Sequence, residues 1–376
     1  MKKFALLPAV ALLLLASCSD DDPVRPVPND PVISVPAVAD QTRADAPKQN
    51  PDYTQLPQLG SAYYLFTFDN GQELTVSVET QTIKEEKKMV AVVKKIGGNA
   101  PKVVIPSTLT GKTGTNNEPV EISVICLNLF EEAVDPAVKE IVLSKGVNMM
   151  KDENGAKFLA VTPSYLEVEV SKCPYVEKFG LEEGYFGAEE NDDPSVTPKA
   201  LGFVTKDGAI YTSDFKTLVA VPRAIDGTFT VVTGTENINA RAFYLCSKID
   251  AITFPASVQS IGKEAVMHTS DLLAINMLAP VAPKAPADAF GYFASSSVLR
   301  IPNGSLKSYT IVKPDVERPV EPIEPDMETG TDEEWEAYDI AMGEYNKALA
   351  AYEEAMSSYV DYAGYLAFKN IQEVNF

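Results

Sequence analysis

Residues 252–266 read ITFPASVQSIGKEAV, and residues 229–243, which lie 23 positions earlier, read FTVVTGTENINARAF. At that shift Ile238 falls on Ile261, Ala242 on Ala265 and Phe243 on Val266; further on, Ile249 meets Leu272 and Ile252 meets Ile275. The apolar positions therefore recur with a period of one supersecondary unit rather than with the period of a helix or a single strand. Each unit has room for one short strand and one turn or short helix. Its apolar edge can be covered only by the next unit, so the copies are expected to stack into a solenoid.

The pattern extends outward in both directions. An earlier copy runs from Ile125 through Leu129, Phe130, Val138 and Ile141 to Leu143 and Val147, and a later one from Ala285 through Ala289, Phe290 and Val298 to Ile301 and Ser305. The run from Ile249 to Val266 resembles the units of the BspA-like leucine-rich repeat family: a strand, a proline, then Val-x-x-Ile-Gly-x-x-Ala-Phe. Asp207 to Pro222 is similar to that family's hairpin-bearing unit. Ile301 to Tyr309, taken with Tyr365 to Glu373, is similar to its closing unit. The copies are degenerate, with Val266 where the family has Phe and Val232 where it has Pro. The resemblance implies a β-rich solenoid of coils of about 23 residues. It also implies a surface protein that adheres to host, matrix or other bacterial proteins.

The amino terminus points to the cell envelope. Lys2 and Lys3 precede an apolar run from Phe4 to Ala16, which is too short for a stable membrane span. Leu15-Ala16-Ser17-Cys18 resembles a bacterial lipobox, which implies cleavage before Cys18 and lipid attachment to its sulfur. Ser19-Asp20-Asp21-Asp22 resembles an acidic signal that exports lipoproteins to the outer face of the outer membrane. Eight prolines between Pro23 and Pro57 then favour polyproline II over collapse. About forty such residues reach on the order of 120 Å when fully extended.

The expected organisation follows. Residues 1–17 form a signal peptide, and 18–60 form the lipid anchor and a Pro-rich disordered tether. Residues 61–98 form a small antiparallel β cap around the hairpin signal Asn70-Gly71. Residues 99–200 hold a degenerate first part of the repeats, with one more strand at Leu166–Val170 and an acidic loop from Glu182 to Pro198. The better repeats occupy 201–311, and 312–376 holds a second Pro-rich spacer, one long helix and a closing repeat strand. Thr331 to Glu334 fits a capping box. Behind it, Trp335, Tyr338, Met342, Tyr345, Leu349, Tyr352, Met356 and Tyr359 alternate spacings of three and four, a heptad seam on a helix about 45 Å long. Such a stripe must be buried. Two covers are open: the solenoid's own flank, or a partner chain, whether a second copy or another surface protein.

Composition narrows the chemistry. The chain has 376 residues, 45% of them apolar, with 32 Lys+Arg against 53 Asp+Glu and a net charge of −21. That balance repels nucleic acid. His268 is the only histidine; it reads as a surface or packing residue. Cys126, Cys173 and Cys246 lack metal-site spacing and are expected as buried thiols, with a disulfide among them as the alternative. No nucleophile elbow, phosphate loop or dinucleotide fingerprint is present. Asn191-Asp192-Asp193 has no calcium-loop spacing after it and reads as a solvated loop. The reading is thus a non-enzymatic surface scaffold without cofactor or metal, touching the membrane only through its anchor. Two alternatives stand beside it. One is a glycan-capture accessory of a nutrient-uptake system, with Tyr211, Phe215, Tyr292 and Phe293 as sugar-stacking candidates. The other is a structural surface component that self-assembles through the 335–359 seam.

Overall fold

The computed structural model describes residues 37–42, 45, 47–50 and 63–376, apart from 84–85, 114–117, 152–156 and 191–196. The signal peptide, Cys18, the acidic triplet and Asn191–Asp193 lie outside the described residues.

The 23-residue period is realised as parallel stacking. Strands Gly227–Thr230, Ile249–Phe254, Ala274–Met277, Val298–Pro302 and Asn370–Val374 pair in that order, all parallel, in one five-stranded sheet. Ile252 sits opposite Ile275, the pairing set by the repeat. A second face is built from Thr217–Ala220, Asn237–Ile238 and Ser260–Ile261, and a third from Val266–Met267 with Phe290–Gly291. The chain path is strand-rich, with no closed barrel, and its coils wind as in a solenoid. Inward side chains interlock between coils: Phe243 is fully buried and meets Phe229 at 5.5 Å and Phe254 at 5.9 Å, both edge-on. Gly262 shows why the repeat carries Ile-Gly. A Cβ there would lie 2.5 Å from the Ala240 nitrogen of the preceding coil, so only glycine permits the approach.

The amino-terminal part departs from the expected small cap. Tyr64–Thr67, Gln72–Ile83 and Glu86–Gly98 are antiparallel. Glu86–Gly98 then pairs in parallel with Glu118–Leu127, so the hairpin strands belong to a mixed seven-stranded sheet that runs into the first coils. Burial explains the continuity, since Val90 to Val93 are all fully buried and need cover on both sides. The buried Gln72 amide ties this sheet to the next, donating to the Val104 carbonyl at 2.9 Å and accepting from its amide at 3.0 Å. Beyond it, Lys102–Ile105, Glu140–Leu143 and Lys178–Leu181 form a three-stranded parallel sheet.

Three further expectations are corrected. Leu166–Val170 is not a strand but lies in the helix Pro163–Ser171. Its alternating Leu-Glu-Val-Glu-Val mimics a strand, yet Thr162 caps the helix and Pro163 starts it. Within the acidic stretch after Glu182, Tyr185–Ala188 is a strand paired with Ala200–Lys206. The tether is held in two places. Asp40 N donates to the Thr205 carbonyl at 2.8 Å, and its carboxylate accepts from Gly208 N at 3.4 Å. The Gln49 amide brackets Thr110 with bonds of 2.6 and 2.9 Å.

Candidate functional site

Three surfaces carry the side chains that could act on something outside the chain. The first is the carboxy-terminal arm. The helix Asp332–Tyr362 begins with the full capping box, the Thr331 side chain accepting from Glu334 N and Glu334 reaching back to Thr331 N. All eight seam residues, Trp335 through Tyr359, are half-buried. The chain's own spacer lies beside the two ends of this stripe. Ile311, Pro314, Pro319, Pro322 and Pro325 are half-buried while most of the residues between them are exposed. Ile311, Val312 and Pro314 share a hollow with Tyr359 and Tyr362 at the base of the arm, and Pro322 to Pro325 share one with Tyr338 and Ala341 near its tip. Prolines 319, 322 and 325 recur every third residue, the turn of polyproline II, so they share one face of the spacer, and all three are half-buried. The spacer thus meets the stripe at its two ends, and every seam residue keeps part of its surface exposed. At the root of the arm, Asp361 accepts from Ala285 N and pairs with Lys284 at 2.9 Å.

The second surface is the outward face of the five-stranded parallel sheet. Register places Thr230, Thr253, Asn276, Arg300 and Gln372 side by side, one per strand. All five side chains point away from the core and are half-buried or exposed. Asn276 Nδ2 donates to Thr253 Oγ1 at 3.1 Å. At the usual strand spacing the row spans about 19 Å. The neighbouring outward row, Ala251, Ala274 and Val298, is small, so the polar row is open to a ligand lying across the coils.

The third surface is a column of stacked groups at one corner of the coils. The Arg241 guanidinium lies 4.0 Å from the Tyr244 ring centroid. Tyr244 meets His268 edge-on at 5.5 Å, and His268 stacks on Tyr292 at 4.4 Å with their planes 13° apart. The column is anchored at its root. Arg241 Nε lies 3.7 Å from Glu167 of the short helix and 3.5 Å from Glu264. Burial pushes the Glu167 carboxyl up to about 7, against the pull of Arg241 and with a small push from Glu264. Glu169, two residues on, is also raised by burial although Lys172 and the Leu129 amide oppose the rise. His268 is therefore a packing residue at the surface, held between two tyrosines.

The four sugar-stacking candidates are not brought together. Tyr211 is core, 1% exposed, with Phe215 leaning on it at 5.7 Å. Phe293 stacks on Phe368 at 5.2 Å. Only Tyr292 stands out, at 74% exposure. Tyr244 and His268 are its companions, and their spacing with it (244, 268, 292), close to the repeat period, is the sequence signal for the column. Cys126, Cys173 and Cys246 are buried free thiols, and burial raises all three, Cys126 to about 11 and Cys246 to about 12.

No family model matches the sequence, and no curated protein matches it. Among solved structures, one of a leucine-rich repeat protein from Eubacterium ventriosum is 15% identical with a TM-score of 0.27, over 66% of this chain and 78% of that one. A leucine-rich cell surface protein from Faecalibacterium prausnitzii is 12% identical with a TM-score of 0.20, over 69% and 90%. The pneumococcal vaccine antigen PcpA is 10% identical with a TM-score of 0.22, over 67% and 96%. Among the described residues no helix is long and apolar enough to cross a membrane.

Proposed function

We propose that this chain is a non-enzymatic, lipid-anchored surface scaffold of the BspA-like leucine-rich repeat type, displayed on the outer membrane through Cys18. On this reading it adheres to a protein ligand through the outward face of its five-stranded sheet. The observation that carries the proposal is the row Thr230, Thr253, Asn276, Arg300 and Gln372, which offers hydrogen-bonding groups at strand spacing on a rigid parallel stack. The Cys18 motif and the proline-rich stretch behind it support display away from a membrane, since several acyl chains at roughly 0.8 kcal/mol per methylene anchor firmly.

Beads coated with the chain, tested for retention on host-cell and bacterial surfaces, examine the adhesion reading directly. Asn276→Trp crowds the polar row without touching the core and is expected to lower retention about tenfold, the loss of one well-placed contact. Unchanged retention of that variant would remove the sheet face as the recognition surface. Beads that no surface retains would end the adhesion reading. Cys18→Ala is expected to release the chain from cells, and a chain that stays membrane-bound would end the anchor assignment.

A further inference from the structure

We infer that the exposed end of the aromatic column, the outer face of Tyr292, is a stacking site for a neutral sugar ring. The argument begins with how the ring is held. Tyr292 is 74% exposed, yet it is not a loose side chain, because one face rests on His268 at 4.4 Å in a near-parallel stack. His268 is in turn backed by Tyr244, and Tyr244 by Arg241, whose charge is fixed by Glu167 and Glu264. Three groups from the two preceding coils thus back one large ring, His268 in direct contact, and leave its far face in solvent. A ligand that stacks there meets a surface already ordered, so little is lost in fixing it.

The backbone points the same way. His268 and Tyr292 both occupy the left-handed region, at φ 59° and 54°. Glycine or asparagine takes that conformation at little cost, whereas a bulky ring does so against steric resistance. Leu245, the equivalent position one coil earlier, is left-handed too, at φ 62°, so the conformation belongs to the turn and fixes the direction in which each of these side chains leaves its coil. At Tyr292 that direction is outward, and the ring adds almost nothing to the core.

The ligand class follows from the surroundings. Of the acids in these coils, Glu167 and Glu264 face Arg241, Asp288 faces Lys263 at 3.7 Å, and the Asp271 carboxylate accepts from the Ser270 hydroxyl at 3.1 Å. The turn that follows Tyr292 carries two exposed hydroxyls, Ser295 and Ser296, whereas Ser270 after His268 already engages the Ser247 carbonyl and the Asp271 carboxylate. An open aromatic face beside neutral hydrogen-bonding groups suits a pyranose, which has one apolar C–H face and a rim of hydroxyls. A cationic side chain could also stack on tyrosine, but it would favour an unpaired acid beside the ring. The site is distinct from the sheet face, and the inference does not rest on the adhesion reading.

The single histidine supplies the probe. The imidazole lines of His268 can be followed by NMR in the full chain without assignment, and they sit under the ring current of Tyr292. The titrants are neutral oligosaccharides built from glucose, galactose, mannose, xylose and N-acetylglucosamine, with arginine methyl ester as the cationic control. The expected result is a saturable shift of the His268 lines by at least one sugar. Affinity should fall about tenfold in Tyr292→Gly, the loss of one stacked aromatic contact, and be kept in Tyr292→Phe. Tyr292→Gly also relaxes the left-handed backbone, so its loss of binding cannot be loss of fold; a melting temperature at or above the parent's checks this. The inference is overturned if no sugar moves the His268 lines, if Tyr292→Gly binds as the parent does, or if only the arginine ester produces the shift. Asn276→Trp should leave the titration unchanged, which separates this site from the sheet face.

Discussion

Glu167 joins the amino-terminal sheets to the carboxy-terminal coils, and its replacement by glutamine makes the sharpest test of how that joint is held. The residue is 4% exposed and faces Arg241 at 3.7 Å without hydrogen-bonding geometry to it. Burial therefore outweighs the pairing, and the carboxyl rises from 4.5 to about 7. At 1.36 kcal/mol per pH unit that rise corresponds to roughly 3 kcal/mol. The folded state holds this proton more tightly than the unfolded chain, so its contribution is fully present below about pH 4.5. It is lost as the pH climbs through about 7. The protein should thus be more stable at pH 5 than at pH 8. Glu167→Gln cannot titrate and keeps a polar group facing Arg241, so it should flatten that slope. It is expected to gain about 1–2 kcal/mol over the parent at pH 8, part of the full value because the attraction to Arg241 is also lost. Urea melts followed by far-ultraviolet circular dichroism at pH 5, 6, 7 and 8 give both slopes. Glu169 titrates with the same sign but is common to both proteins and cancels in the difference. Parallel slopes, or a variant weaker than the parent at pH 8, would refute the reasoning.

Phe243→Ala removes a fully buried ring locked between Phe229 and Phe254 and should cost about 3–5 kcal/mol in the same urea melts. Replacing Pro319, Pro322 and Pro325 together by alanine should uncover the seam. The emission of Trp335, the only tryptophan, should then shift to the red, whereas an unshifted spectrum would mean the prolines do not cover the helix. Light scattering should show the parent chain as a monomer, because the spacer occupies both ends of its apolar stripe, and a stable dimer that is lost on deletion of 312–360 would contradict this. Cys126, Cys173 and Cys246 should resist a thiol reagent at pH 8 in the native protein and react after denaturation, since burial holds all three thiols protonated.

The repeat period was readable from Phe229 to Ile275 because inward positions of a stacked coil must be apolar at every turn of the stack, whatever lies outside them. The turn at Asn70-Gly71 and the capping box at Thr331 were readable for a similar reason: a few adjacent residues satisfy their own backbone. Leu166–Val170 misled because alternation is a weak signal over five residues, and the cap at Thr162 decided for a helix. The heptad from Trp335 to Tyr359 declared that a stripe had to be buried but not by what. Only the three-dimensional course of the spacer brings Pro314 beside Tyr359, and Pro322 and Pro325 beside Tyr338. The stack of Tyr244, His268 and Tyr292 belongs to the same class. Residues 24 apart touch only once the coils wind in register, so the sequence by itself determined the period and the apolar faces. The tertiary structure alone decided which faces cover one another and which ring is left open, because contact between distant residues depends on the path of the whole chain.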